Sequence, residues 1–383
     1  MKSTSILLII ILISFSLTLS AKEKIPSKTE IVNSMTRVCD WQLANLKKTE
    51  YVDMDSIKHK YRDAGWIRGT FLTGLMAQYY STKNQVYLDS AMALCSRVNW
   101  QIGPKLQFAD DLCIGQAYIE LYKLKKGKRM ISDVELHLNA ILKNPKRGPV
   151  VGWKGVDNWD WCDALYMAPP VFSRMYSITK NQAYLDTMTV LWFDTYNLLF
   201  DKKEKLFYRD SRFSERTDGT QKLSKNGKKI FWSRGNGWVL GGLTRILQDM
   251  PKSYAHRAEF ESAFKAMCAR IVTLHGEDGL WRSSLLDADE YPAPETSGSA
   301  FYCYALAYGI NNGLLSSKTY LPVVLKAWKG LNWAIDKNTG MLGWVQAVGA
   351  DPRSVTATES QEYGAGAFLL AGSEMIKINK NKL

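Results

Sequence analysis

The chain has 383 residues, 46% of them hydrophobic, and a formal net charge of +13. This length and apolar content suit a large folded core and exclude a fibrous or low-complexity protein. The positive charge could attract an acidic polymer, but the lysines are dispersed and no nucleic-acid-binding motif occurs, so we expect no nucleic-acid partner.

The first 21 residues have the pattern of a secretory signal peptide. Lys2 provides the positive end, residues 6–19 are mostly apolar, and the small residues Ser20 and Ala21 follow. The apolar run is short for a membrane span. We therefore expect an exported protein, periplasmic or secreted, with no membrane attachment after removal of residues 1–21 and a single domain over residues 22–383.

An internal repeat and a regular alternation of helix types organise the rest of the chain. Residues 82–89 (TKNQVYLD) and 179–186 (TKNQAYLD) are nearly identical, which indicates repeated units. Helices that are apolar on most faces, and hence buried, are predicted to start near Gly65, Asp111, Asp163, Gly235, Ser297 and Glu362. Amphipathic helices of an outer layer are predicted near 29–46, 85–99, 129–143, 182–199, 254–275 and 318–336.

Six such pairs predict an all-α fold, an (α/α)6 barrel with six inner and six outer helices. One short hairpin is predicted within 205–232, from the segments 206–209 and 229–232. In this fold the loops that enter the inner helices gather at one end of the barrel. The polar motifs of those loops should therefore meet in one cleft.

Six cysteines, at positions 39, 95, 113, 162, 268 and 303, lie mostly inside apolar helical stretches without CxxC spacing. We interpret them as buried free thiols, because a core of this size does not need disulfides. Only four histidines occur, and they are scattered. The sequence therefore predicts neither a metal site nor a cofactor.

The segment before the third inner helix has the most informative chemistry. Asp160 and Asp163 stand there among Trp159, Trp161 and Tyr166. Indole faces stack on sugar rings, and an apolar wall can raise the pKa of a carboxyl until it keeps a proton at neutral pH. The alternative is that Asp163 only caps the helix.

The pair Asp110-Asp111 stands before the second inner helix. It could cap that helix or bind sugar hydroxyls.

The fourth inner helix follows the run Phe231-Trp232-Ser233-Arg234-Gly235-Asn236-Gly237-Trp238. The guanidinium of Arg234 suits a carboxylate, and Trp232 and Trp238 offer stacking faces beside the polar Asn236. The alternative is a tight turn with two core tryptophans. Weaker candidates for substrate binding are Glu295, Ser297, Trp281 and Trp344.

These motifs together resemble glycoside hydrolase family 105, the unsaturated rhamnogalacturonyl hydrolases, which are related to the unsaturated glucuronyl hydrolases of family 88. The matching runs are WDWCDALYMAPP, ADDLCIGQAY, FWSRGNGWV, GLWRSSLLD, PETSGSAF and EYGAGAFLLAGSE, spread in order over roughly 30–378. The resemblance implies an (α/α)6 barrel and an oligosaccharide substrate with a 4,5-unsaturated uronic acid at its non-reducing end. It leaves open whether that sugar derives from galacturonate or glucuronate.

The resemblance also implies residue roles. Asp163 matches the catalytic acid, which would protonate C4 of the vinyl ether, and Asp111, with Asp110 beside it, matches a second acid. Many relatives have histidine after that acid, where this chain has Leu112. Arg234 is our candidate for the uronate carboxylate, and we expect burial to raise the pKa of Asp163 more than the helix dipole lowers it.

Two other functions fit the same residues. An inverting glycosidase on the same fold would use Asp163 and Asp111 as acid and base on a saturated substrate. An exported glycan-binding protein would keep the aromatic cleft without turnover. A saturated substrate distinguishes the first, and any activity excludes the second.

Overall fold

A computed structural model describes residues 24–148, 158–216 and 218–381, so the predicted signal peptide lies outside the described residues. In chain order the described elements are α1 (Lys28–Ala44), β1 (Glu50–Val52), β2 (Lys58–Lys60), α2 (Trp66–Thr82), α3 (Gln85–Arg97), α4 (Ala109–Leu112), α5 (Gly115–Lys125), α6 (Arg129–Lys143), α7 (Ala164–Met167), α8 (Pro169–Thr179), α9 (Ala183–Leu199), β3 (Phe200–Asp201), β4 (Leu206–Phe207), α10 (Ser233–Asp249), α11 (Arg257–Ile271), α12 (Thr296–Asn311), α13 (Ser317–Trp333) and α14 (Glu362–Asn381).

The inner helices form a closed ring. In order around it, α2 packs on α5, α5 on α8, α8 on α10, α10 on α12, α12 on α14, and α14 again on α2. The outer helices α3, α6, α9, α11 and α13 each pack on the inner helix that precedes them, and α1 packs on α14 and α2. The predicted (α/α)6 barrel is confirmed.

The repeat seen in the sequence forms the same turn twice. The inner helix ends at a lysine with a left-handed backbone, Lys83 at φ 60° and Lys180 at φ 61°. The asparagine that follows accepts a hydrogen bond from a backbone N–H of the next helix, 3.1 Å from Asn84 to Val86 and 3.1 Å from Asn181 to Ala183. Each turn therefore reverses the chain and starts an outer helix.

Two inner helices begin later than predicted, because a short helix precedes each. After α4, the carbonyl of Asp111 accepts the backbone N–H of Gly103 at 3.0 Å, so the helix restarts at Gly115. After α7, Pro169 has no N–H to continue the ladder, and α8 starts there. Both breaks lie next to the aspartates that the sequence singled out.

The predicted hairpin is wrong in its pairing. Strand β4 pairs with β3, so that Leu206 lies opposite Asp201, while Lys229 bridges to Leu223 and Trp232 to Ser284. Strand β4 pairs with the segment just before it in the chain, because Asp201 accepts the backbone N–H groups of Lys203 and Glu204 at 2.8 and 2.9 Å and so closes a tight turn. A second antiparallel pair, β1 with β2, was not predicted.

All six cysteines are buried and free, as predicted. Among the described helices, none is both long and apolar enough to cross a membrane.

Candidate active site

Aromatic residues from the N-terminal ends of the inner helices meet at one end of the barrel. Trp238 of α10 contacts Trp66 of α2, Tyr363 of α14, Phe301 of α12 and Tyr166 of α7, with ring centroids 4.7 to 6.0 Å apart. The loops that carry the motifs therefore converge, as predicted. Trp238 itself is 1% exposed, so it forms the floor of this end and is not a cleft wall.

Asp163 lies at the N-cap position of α7, but its side chain makes no capping hydrogen bond. Its Oδ2 instead accepts the thiol of Cys162 at 3.5 Å and lies 3.6 Å from Nε of Arg209. Burial raises the pKa of Asp163, although the charges of Arg209 and Arg234 oppose the rise. The carboxyl therefore favours its protonated form more than an exposed aspartate does.

Asp110 and Asp111 have different surroundings. Asp111 is 1% exposed, accepts the backbone N–H of Lys105 at 3.0 Å and is ion-paired with Arg62. Its side chain is therefore engaged in holding the 103–105 loop. The sequence leaves open which of the two acids faces the substrate, and in the structure the charge of Asp163 acts on Asp110.

Asp110 lines a cavity of about 200 Å³ together with Tyr51, Arg62, Trp66 and Phe108. Burial raises the pKa of Asp110 to about 7, and the nearby charge of Asp163 adds to the rise. Asp110 therefore keeps its proton more readily than an exposed aspartate does. Asp110 is therefore the member of the Asp110-Asp111 pair that lines this cavity and is influenced by the charge of Asp163.

Arg209 was missed by the sequence analysis. Its carbonyl accepts the backbone N–H of Cys162 at 2.8 Å, and Asp210 forms a bridge with Trp161. The chain after β4 therefore runs beside the segment of Asp163 and brings the guanidinium to it. The hint in the sequence was the place of Arg209 at the end of the predicted segment 206–209.

Arg234 is buried, and its charge acts on Asp163. Its Nη1 and Nη2 donate to the carbonyls of Gln346 and Ala347 at 2.5 and 2.8 Å, and its guanidinium lies over the rings of Trp232 and Tyr363. Each terminal nitrogen therefore uses one of its two N–H groups on this loop. This geometry makes Arg234 an anchor for the 346–347 loop and an electrostatic neighbour of the acid.

Trp161 and Phe108 form the aromatic part of the site. Trp161 is 3% exposed, and its ring centroid lies 5.4 Å from that of Phe108, which lines the Asp110 cavity. Trp159 packs inward and donates its indole N–H to the carbonyl of Gln107 at 3.0 Å. Asp160 is buried and acts electrostatically on Arg212.

Three polar contacts of the fourth and fifth motifs hold the fold. The amide of Asn236 bonds to both the N–H and the carbonyl of Phe207, at 2.8 and 3.0 Å. Trp232 donates its indole N–H to Gln346 at 3.0 Å. Glu295 caps α12 and accepts the hydroxyl of Ser297 at 2.5 Å. These side chains therefore position the loops around the acid pair.

Two further tryptophans predicted to bind substrate make contacts within the fold. Trp281 is completely buried and donates to the carbonyl of Ile271 at 2.9 Å. Trp344 stacks on Trp333, with centroids 6.0 Å apart. Neither contact brings an indole to Asp163. Within the described ranges, no group of three or more His, Cys, Asp or Glu residues could hold a metal ion.

A ring of six helix pairs with the carboxyls of Asp110 and Asp163 at the end where the motifs converge suits a glycoside hydrolase, which works with carboxyl groups. The chain belongs to Glycosyl Hydrolase Family 88, whose family model matches residues 34–379. The resemblance inferred from the motifs is thereby confirmed.

Individual relatives agree with this assignment. An "Unsaturated 3S-rhamnoglycuronyl hydrolase" of Formosa agariphila is 42% identical over 82% of this chain and 85% of that protein. A protein of the same name from Alteromonas sp. is 31% identical over 89% of this chain and 84% of its own. A solved family 88 glycosyl hydrolase from Bacteroides vulgatus superposes with a TM-score of 0.80 at 29% identity, over 92% of this chain and 99% of that one.

Proposed function

We propose that this glycoside hydrolase removes a 4,5-unsaturated uronic acid from the non-reducing end of oligosaccharides produced by polysaccharide lyases. The observation that carries the proposal is the buried carboxyl of Asp163, with a raised pKa, beside Arg209 and close to Asp110. The names of the two curated relatives, which act on unsaturated rhamnoglycuronyl compounds, support it.

The reaction begins with proton transfer to the double bond. Protonated Asp163 gives its proton to C4, and the electron pair of the C4=C5 bond forms the new C4–H bond. Positive charge then develops at C5 and is shared with the ring oxygen. A carboxyl that acts first as acid and then as base needs a pKa near the working pH, and burial moves the pKa of Asp163 upward, in that direction.

Water completes the reaction. It attacks C5 while the Asp163 carboxylate takes one of its protons, which restores the acid. The product is a hemiketal at C5, which opens to a ketone as the bond from C5 to the ring oxygen breaks. C1 then carries a hydroxyl and the next sugar, and it becomes an aldehyde when that sugar leaves as an alcohol. The net change is the addition of one water molecule.

Arg209 and Asp110 have distinct tasks in this proposal. Nε of Arg209 lies 3.6 Å from Asp163, and its guanidinium suits the uronate carboxylate, because a guanidinium binds carboxylates with paired hydrogen bonds. We assign it this task in place of Arg234, whose terminal nitrogens bind backbone carbonyls. Asp110 accepts hydrogen bonds from the hydroxyls of the same sugar.

Matched substrates test the proposal. An unsaturated uronyl disaccharide and its saturated counterpart are incubated separately with the enzyme, and the ultraviolet absorbance of the conjugated double bond and the released sugar are followed. We expect loss of absorbance with release of the second sugar from the unsaturated compound and no cleavage of the saturated one. Cleavage of both compounds would favour an inverting glycosidase, and cleavage of neither would favour a glycan-binding protein.

We also propose that the protein is exported after cleavage near Ala21. The charged, apolar and small-residue order of residues 1–21 supports this. Cell fractionation combined with the mass of the purified protein tests it. A cytoplasmic protein that retains residues 1–21 would contradict it.

A further inference from the structure

One tryptophan on the outer surface of the barrel is unusually exposed. Trp333, the last residue of α13, is 62% exposed, whereas folding covers most of a tryptophan side chain on average. Its indole lies nearly parallel to that of Trp344, with ring centroids 6.0 Å apart and an angle of 20° between the ring planes. Trp344 therefore supports the ring of Trp333, and more than half of Trp333 stays open to solvent.

The backbone of Trp344 is strained in the position that brings it to Trp333. Its φ is 58°, a left-handed conformation that is unfavourable for an aromatic residue. The N–H of Trp344 donates to the carbonyl of Thr356 at 3.2 Å, and its carbonyl accepts the N–H of Thr296 at 2.9 Å. Because Thr296 begins α12, Trp344 is fixed at the end of the barrel where the motifs meet. Strain that the fold maintains in this way clusters at ligand-binding sites.

A cavity of about 300 Å³ adjoins Trp333. This volume lies at the lower end of the range of small-ligand sites, about 300 to 1,000 Å³. Apart from the tryptophan and one glycine, the described residues around the cavity are charged. The lining consists of Glu277, Asp278, Lys326, Lys329, Gly330 and Trp333.

The floor of this cavity is preformed, because the turn 277–279 packs directly on α13. A Cβ on Gly330 would lie 2.6 Å from the carbonyl oxygen of Asp278, and a Cβ on Gly279 would collide with the carbonyl of Lys326. The carboxylate of Asp278 is also held in place, since its Oδ1 accepts the backbone N–H of Leu280 at 3.0 Å. A ligand would therefore meet a surface that needs little rearrangement.

The chemistry of the lining favours an uncharged sugar as the occupant. Two carboxylates and two ammonium groups give the lining no net charge, so it does not select an anion or a cation. Sugar hydroxyls both donate and accept hydrogen bonds, and they suit such a mixture of acceptors and donors. An apolar partner surface would instead remove four charged groups from water without hydrogen bonds to replace it, which is costly.

We propose that Trp333 and this cavity form an accessory binding site for an uncharged sugar unit. The exposed indole offers an apolar face to the C–H side of the ring, and the charged groups bind its hydroxyls. Among the described residues, this cavity and that of Asp110 have no lining residue in common. The inference goes beyond the proposed reaction, because it concerns the retention of saccharides at the rim of the barrel and not their turnover.

Fluorine NMR tests the inference on the folded, unaltered chain. The 13 tryptophans are replaced by 5-fluorotryptophan, and the signal of Trp333 is assigned by its loss in Trp333→Tyr. L-rhamnose and D-xylose are the uncharged probes, and D-glucuronate is the charged one. A single sugar ring should bind with a Kd on the order of 1 mM or weaker. We expect both uncharged sugars to shift the Trp333 signal saturably and glucuronate to bind no more tightly.

Glu277→Ala tests the cavity while it keeps the fluorinated reporter. The substitution removes two acceptor oxygens from an exposed position, so we expect the Kd of xylose to rise by about tenfold. Asp89→Ala is the matched control, because it removes an exposed acid from the outer helix α3, and its Kd should not change. An unchanged Kd in Glu277→Ala would overturn the assignment of the sugar to this cavity.

Three other results would also overturn the inference. The first is a Trp333 signal that stays in place with both uncharged sugars up to about 100 mM, far above the expected Kd. The second is tighter binding of glucuronate, which would indicate an anion site. The third is a dimer in sedimentation experiments that Trp333→Ala abolishes, which would make this surface a contact between two copies of the chain. The turnover of unsaturated disaccharides is measured separately, so the proposed function stands or falls independently.

Discussion

Oδ2 of Asp163 lies 3.6 Å from Nε of Arg209, although the two residues are 46 positions apart in the sequence, from 163 to 209. Burial of the Asp163 carboxyl raises its pKa, whereas the positive charge of Arg209 lowers it. The balance between the two effects sets the pKa of Asp163. The same two residues act on Asp110: the charge of Asp163 raises its pKa and that of Arg209 lowers it. The protonation of Asp110 therefore depends on both neighbours.

Asp163→Asn tests the central role directly. Asparagine has nearly the same shape but no proton to transfer, so we expect kcat to fall by about 100-fold or more with an unchanged circular dichroism spectrum. Asp89→Asn on the outer helix α3, where the residue is exposed, is the control and should retain full activity. Near-normal turnover by Asp163→Asn would remove this residue from the mechanism.

Asp110→Ala and Asp111→Ala separate the two neighbouring acids. Loss of Asp110 should reduce activity by about tenfold or more and leave stability nearly unchanged. Loss of Asp111 removes the partner of Arg62 and the acceptor of the Lys105 N–H, so we expect a loss of about 1–3 kcal/mol of unfolding free energy. Thermal melts and kinetics of both variants check this, and the reverse pattern would restore Asp111 as the acid that faces the substrate.

Arg209→Gln should change the pH dependence of the reaction. The charge of Arg209 lowers the pKa of both Asp163 and Asp110, so its removal raises both. Because activity requires protonated Asp163, the fall in kcat on the basic side should move to higher pH. Without Arg209 the enzyme also lacks the cation assigned to the uronate carboxylate of the substrate, so KM should rise by about tenfold or more. Arg97→Gln, at an exposed position of α3, serves as control, and a basic limb that stays in place would contradict the assignment.

The ring of helices could be predicted because its determinants are local. Buried and amphipathic helices differ in their own residues, and the turns at Lys83-Asn84 and Lys180-Asn181 need only neighbouring groups. The helix starts at Gly115 and Pro169 could not be predicted as precisely. The start at Gly115 depends on a hydrogen bond between Gly103 and Asp111. The hydrophobic periodicity of the sequence does not indicate a contact between these two residues.

The candidate site could be predicted only in part, because only some of its features depend on residues that are close together in the sequence. Unusual neighbours in the sequence marked the segment of Asp160 and Asp163, and the resemblance to family 105 singled out Asp163. The choice between Asp110 and Asp111 depends on which way each points from α4, and Arg209 depends on the pairing of the 161–162 and 209–210 segments. The residue type also does not show whether a polar side chain is free to bind substrate. The amide of Asn236, for example, already forms hydrogen bonds with the backbone of Phe207.

The close approach of α10 to α7 predicts a strong effect at Gly242. A Cβ there would lie 2.1 Å from the carbonyl oxygen of Leu165, two residues after Asp163, and backbone cannot easily yield. We expect Gly242→Ala to cost about 1–3 kcal/mol of unfolding free energy and to reduce activity by displacing α7. Gly127→Ala is the control, because the nearest atom, at 3.2 Å, is the flexible end of Met130. Urea denaturation and kinetics measure both, and equal stability of the two variants would contradict the prediction.

The hairpin that leads to Arg209 should stabilise the protein in a pH-dependent way through Asp201. Burial alone would raise the pKa of Asp201, but hydrogen bonds from Lys229, Tyr208 and the backbone of Glu204 outweigh it and lower the pKa from 3.8 to about 2. Since the folded value lies below the unfolded one, the stabilisation is present above pH 4 and is lost as the pH falls toward 2.

Asp201→Asn should therefore lower the unfolding free energy by about 2 kcal/mol near neutral pH, and the difference from the unaltered enzyme should shrink as the pH falls from about 4 to about 2. Denaturant unfolding at several pH values measures this difference. Asp89→Asn, at an exposed helical position, controls for the loss of one negative charge. A difference that stays constant down to low pH would mean that Asp201 stabilises the hairpin by its shape and hydrogen bonds, and that its charge contributes nothing.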